Sequence, residues 1–204
     1  MSRLPILCRT LRATGRLGQD RRGVTAVEFA IAGPVFLLLL FGSLDLGHTL
    51  YVSSLLRGAV QQAARDSTLE TADTDELDAY VGSIVSGIAP GADISVERKS
   101  YYDFEDVGRA ETWNDANNDS TCNNGEAYTD ENGNGHWDAD VGVAGNGSAS
   151  DSVLYTVTMS YKPLFPIPFI AGSGNSRTIV ASAFKKNQPY GLQADYGSAA
   201  GTCN

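Results

Sequence analysis

Sulfur and imidazole are scarce in this chain, with three cysteines, two methionines and two histidines among 204 residues. Cys8, Cys122 and Cys203 show no CxxC spacing, which removes the basis for a zinc site built on paired thiolates. His48 and His136 have no nearby serine or cysteine arranged as a nucleophile with its base, so no enzyme is expected. The glycine-rich stretches follow no strand that leads into a helix, which excludes a Walker loop or a dinucleotide fingerprint. Positive charge is also short, 15 basic against 24 acidic side chains and a net charge of -9. With the bases so few, a nucleic-acid groove is excluded as well. The length suits one globular domain plus an appendage.

The charge is polarised along the chain. Residues 1–23 hold six arginines against Asp20 alone, a net +5, while the remaining 181 residues hold nine bases and 23 acids. Next comes Val24 to Leu44, 21 residues whose only charge is Glu28. At about 1.5 Å per helical residue this run nearly matches a hydrocarbon core of roughly 30 Å. A transmembrane helix is predicted over 24–46, a buried core helix being the alternative. Arginines before the run and acids after it place residues 1–23 in the cytoplasm and the domain from 47 to 204 outside.

A secretory signal carries its cleavage site after the apolar stretch. Here Gly23 stands before it, and Glu28 lies in its first turns, where an unpaired charge is costly in lipid. The residues Arg22-Gly23-Val24-Thr25-Ala26-Val27-Glu28-Phe29 resemble the class III prepilin junction of type IV pilins and pseudopilins. RRGVTAVEFAIAGPVFLLLLFGSLDLGHTLY with RGAVQQAAR (57–65) resembles, more closely, the TadE-like family, minor pseudopilins of the tight-adherence (Flp) pilus apparatus. The tail FKKNQPY (184–190) resembles that family's closing motif, with Gln188 where an acid is common. The resemblance implies a peptidase cut between Gly23 and Val24, with Glu28 and Phe29 forming the recognised turn. It also implies as partners the lipid bilayer, a prepilin peptidase and other pilins or pseudopilins, in a bacterial inner membrane. Glu28 has a physical logic of its own. A cleaved chain begins with a positive amine at Val24, and a carboxylate about one turn away neutralises an amine of the same or a neighbouring subunit.

Pro34 removes one backbone donor inside the helix and favours a bend. Asp45 and His48 fall about 26 and 30 Å beyond Glu28, at the outer interface, where charge is cheap. Asp45 is read there as a boundary residue or a subunit contact. Tyr51, Leu55, Ala59 and Ala63, widened by Leu56 and Val60, continue the helix as an amphipathic one to about Arg65. Leu77, Tyr80, Val81, Ile84, Val85 and Ile88 mark a second helix, capped by Thr74 or Asp75 and closed by Gly87 and Pro90. Strands are predicted at 93–99, 152–162 and 177–184, while PLFPIPF (163–169) is too rich in proline for a central strand and reads as a loop with an apolar face. The fold class is α+β, a long pilin-like helix packed with a second helix on a small antiparallel sheet.

An acidic, asparagine-rich insertion occupies 103–150. Eleven acids and one base, Arg109, lie between Asp103 and Asp140, so the stretch either stays mobile or is organised by positive charge. Asp115, Asn117, Asp119 and Glu126 take positions 1, 3, 5 and 12 of a calcium loop, with Ser120 where glycine is expected. Asp130, Asn132 and Asn134 repeat the pattern, followed by Asp138 and Asp140 at positions 9 and 11, but position 12 is Val141. Alternate side chains of such a loop converge oxygens on a hard cation, so structural calcium is expected, a merely solvated loop being the alternative. Trp113, Tyr128 and Trp137 would pin the insertion to the domain or offer a stacking surface. Cys122 and Cys203, the pair left once the leader is removed, suit a disulfide in an oxidising compartment, or remain two free thiols. The rival function is a calcium-dependent surface adhesin on an uncleaved signal anchor.

Overall fold

The computed structural model describes residues 23–69, 72–167 and 174–203. The basic leader with Cys8, and Phe169 at the end of the proline-rich segment, lie outside the described residues.

Helix α1, Val24–Asp66, is one continuous 43-residue element with Pro34 inside it. Its first half is apolar all round and exposed, and it is long and apolar enough to cross a membrane. Its second half is one-sided: Val52, Leu56, Ala59, Val60 and Ala63 are buried, while Arg57, Gly58 and Gln61 face outward. Helix α2, Thr74–Ile88, is capped by Asp73 rather than by Thr74 or Asp75, because the Asp73 carboxylate accepts from the amides of Asp75 (2.9 Å) and Glu76 (3.2 Å). Val81 and Val85 are its buried positions.

Both helices cover one face of an antiparallel sheet. Its strands are β1 (Asp93–Tyr101), β3 (Val143–Ala144), β4 (Ser152–Tyr161) and β5 (Arg177–Lys186), in the order β3-β1-β4-β5. Val96 opposes Val157, and Val157 opposes Ala181, so one register sends Ile94, Val96, Tyr155, Val157, Met159, Ile179 and Ala181 to the helices. The outer face carries Ser95, Thr156, Thr158 and Ser182, with Val180 and Phe184 exposed among them. This alternation is what a half-buried sheet requires. A polar tie crosses the core. Arg98 on β1 grips Asp78 on α2 through both carboxylate oxygens (2.8 and 2.5 Å) and lies over the Tyr155 ring, whose hydroxyl donates to the same Asp78 at 2.8 Å. Burial, with the Asp78 charge beside it, pushes the Tyr155 phenol upward.

A second sheet pairs β2 (Ala127–Asp130) with β6 (Ala199–Thr202), the C-terminal strand. The sequence pattern indicated none of β2, the two-residue β3 and β6.

Candidate functional site

Three regions hold the residues singled out from the sequence. The first is the start of α1. Gly23 precedes the helix and its carbonyl accepts from Val27 at 3.1 Å. Gly23, Val24, Glu28 and Phe29 are all exposed, Phe29 at 74%. These four junction residues are therefore sterically open.

The second region is where the exposed apolar half of α1 meets the domain. Asp45 is only 4% exposed, because Arg177 at the start of β5 reaches it at 2.5 Å and also donates to Thr49 at 2.7 Å. Instead of sitting in the interface as a free charge, Asp45 fastens the sheet to the helix. Its other oxygen, Oδ1, has no partner among the described residues. His48 stands against the carbonyl of Ile88 (3.4 Å) and edge-on to the rings of Tyr161 and Phe165. At the far end of the helix Lys185 is buried, its amine donating to the Ser67 carbonyl (2.7 Å), the Ser67 hydroxyl (2.8 Å) and Asn146 Oδ1 (2.7 Å). It satisfies a carbonyl that α1 leaves free at its C-terminus. Burial, aided by the Arg98 charge, pushes this amine down to about 8.

The third region is the insertion. It is ordered by its own base: Arg109 donates to Asp106 (2.8 Å) and takes Glu131 bidentately (3.1 and 2.5 Å), with its guanidinium over the Tyr196 ring. The Arg109 hydrogen bonds hold the Glu131 carboxyl below its usual range. Trp113 and Trp137 stack edge to face at 5.1 Å, and Trp137 Nε1 donates to the Glu111 carbonyl at 3.2 Å. These rings pin the insertion to itself.

The first DxN loop is the tip of a hairpin, residues 112–114 returning along β2 through Asn114 N to Ala127 O and Thr129 N to Thr112 O. Within it Asp115 accepts from the amides of Asp119 and Ser120, Asn117 from Asp119, and Asp119 from Thr121. Ser120 takes φ 61°, the left-handed turn for which glycine was expected. The second loop repeats the design. Asp130 accepts from Gly133, Asn134 and Gly135, Asn132 from Asn134, and Asn134 from His136, with Gly135 at φ 79°.

The closing acid is where the two loops diverge. Glu126 accepts from Ala116 (2.8 Å) and Asn123 (3.2 Å), the second and ninth positions of the first loop. In the second loop the same two positions, Glu131 and Asp138, donate to Glu111 at 2.8 and 3.1 Å, and Asn132 adds a third bond. Glu111 is fully buried and lies 19 residues before the loop that it closes. A search for an acid at position 12 looks only downstream, and so passes over it. Asp138 joins the second loop through Asn132 and Asn134. Asp140 does not: its carboxylate goes to Lys99 (2.9 Å) and to the Tyr101 hydroxyl (3.1 Å). Among the described residues no three acids, histidines or cysteines gather as a metal centre. Each loop's oxygens are a mixture of carboxylates and amides.

Cys122 and Cys203 form a disulfide with Cα atoms 5.5 Å apart. It clamps the tail onto the first loop, where Gly125 N donates to Cys203 O and Cys203 N to Glu126 O. Gly201 lies directly on the Tyr128 ring, which a Cβ there would strike.

No curated protein and no solved structure matches the chain. Residues 23–65, the junction glycine and nearly all of α1, match the family model described as TadE-like protein, so this chain carries a TadE-like N-terminal segment, as its junction and helix indicated.

Proposed function

We propose that the protein is a membrane-anchored minor pseudopilin that serves assembly of a tight-adherence (Flp) pilus. The observation that carries this reading is the TadE-like match, which relates the chain to that pilus and covers the helix suited to anchoring it in a membrane. In this reading a prepilin peptidase cuts after Gly23, and the new amine of Val24 is neutralised by Glu28 one turn along, in its own or a neighbouring helix. The exposed apolar half of α1 is then the surface shared with lipid and with other pilins. The anchor lies in the bacterial inner membrane with the domain beyond 47 outside. The role is structural rather than enzymatic, and calcium in the two DxN loops stiffens the insertion.

Intact-mass spectrometry of the membrane-extracted protein tests the reading. A chain beginning at Val24 is expected, and Glu28→Ala is expected to lose association with the pilus apparatus. An intact Met1 in cells with an active prepilin peptidase would overturn it in favour of an anchored binding module.

A further inference from the structure

The direction of β4 decides which part of the domain faces the membrane. Val153, near its start, lies opposite Lys185, whose amine reaches Ser67 at the far end of α1. At its other end the Tyr161 hydroxyl meets Thr49 at 3.3 Å. Thr49 stands five residues past Leu44, about 8 Å along the helix axis, within the headgroup zone of a bilayer that α1 spans. The β4–β5 connection therefore emerges at the membrane-proximal end of the domain, while the acidic insertion, which begins beyond Tyr101 opposite Ser152, emerges at the distal end.

That connection begins Lys162-Pro163-Leu164-Phe165-Pro166-Ile167. Leu164 is 55% exposed and the Phe165 ring lies 6.3 Å from that of His48, which fixes the loop's height on α1. Two prolines remove two backbone donors, lowering the cost of taking the loop out of water. Lys162 is exposed and has no ion pair among the described residues, in contrast to Arg177, which Asp45 holds. A long amine beside an apolar loop is the arrangement that reaches up to lipid phosphate while its neighbours enter the acyl boundary.

We propose that this loop is a second membrane contact: Leu164 and its neighbours Phe165 and Ile167 rest in the interface of the same bilayer, with Lys162 on headgroup phosphate. The contact is continuous with the lipid-facing surface of α1 and rests on reading α1 as a membrane span. Because the domain is built on the second half of α1, this contact sets the tilt of helix and domain together against the lipid surface.

A nitroxide scan of the full chain tests this. Cys8→Ser leaves the Cys122–Cys203 pair oxidised, and single cysteines are then placed by Leu164→Cys, Phe36→Cys in the span and Leu192→Cys, which is 97% exposed near the distal end. Each labelled protein is reconstituted in phosphatidylethanolamine–phosphatidylglycerol vesicles, and collision with oxygen is compared with collision with a water-soluble nickel chelate. Position 164 is expected to shift from the aqueous ratio of position 192 toward the lipid ratio of position 36. An aqueous ratio at 164 with a lipid ratio at 36 overturns the loop contact and leaves the span intact. An aqueous ratio at 36 overturns both.

Discussion

Breaking the Cys122–Cys203 bridge gives the most quantitative check on how the insertion is held. The bridge closes a loop with a sequence separation of 81 residues. Chain-entropy arithmetic for a loop of that size gives about 4.5 kcal/mol at 25 °C, at the upper end of what native bridges contribute. The effect is expected to be regional, because the bridge ties β6 and the first DxN loop together while the core of α1, α2 and the larger sheet lies elsewhere. The assay is urea unfolding of the full chain in detergent, wild type against Cys122→Ser/Cys203→Ser. Tryptophan emission reads the insertion, since Trp113 and Trp137 both lie there, and far-ultraviolet circular dichroism reads the helices. With a slope of about 2 kcal/mol per molar, the tryptophan midpoint should fall by about 2 M, with a smaller change in the dichroism midpoint. A loss below about 1 kcal/mol in the tryptophan transition would refute the claim that the clasp holds the insertion.

Two further outcomes follow from the loop and helix-end geometry. Calorimetric titration with calcium is expected to show two sites, with Glu126→Ala abolishing one and Glu111→Ala the other; heats unchanged in Glu111→Ala would show that the upstream acid closes nothing. Lys185 sets the alkaline behaviour: its folded value of about 8 lies below its ordinary 10.5, so the unfolded chain binds more protons between these values and stability rises with pH across that window. Near pH 10 the trend reverses, because Tyr101, pushed up to about 12 chiefly by burial, and Tyr155 stay protonated in the fold while their unfolded counterparts ionise. Chemical denaturation at a series of pH values should show Lys185→Met flat between pH 8 and 10, and a slope equal to wild type there would count against the burial of this amine.

Much of the architecture could be read from residue periodicity. The apolar run and the stripe through Leu56, Ala59, Val60 and Ala63 predicted α1 to within a residue of its observed end, since burial of one face is a period-3.6 signal, although Tyr51, read on that stripe, is 57% exposed and Val52 takes the buried place. The alternation of Val153, Tyr155, Val157, Met159 and Tyr161 marked β4 for the equivalent period-2 reason. What escaped was short or non-local. β6 is Ala-Ala-Gly-Thr, with no β-branched run to announce a strand; it exists because Cys203 and the Gly201–Tyr128 approach hold it there. Asp45 was expected to sit at the interface because nothing near it in sequence signals Arg177, 132 positions away. The two curled DxN loops were legible because the spacing of Asp and Asn side chains that accept from their own loop's amides is local, whereas Glu111 reaches its loop through space.

The position of β6 also dictates an order of events. The insertion's central strand, β2, finds its partner only in residues 199–202, and Cys122 finds its own in Cys203. A chain made from its N-terminus can complete α1, α2 and the β1–β4 pairing before residues 199–203 have emerged. The acidic segment must wait as an open loop until those residues arrive. Oxidation of the cysteine pair then marks a chain in which residues 199–203 have joined β2, and a chain cut before Cys203 carries an unpaired thiol at Cys122.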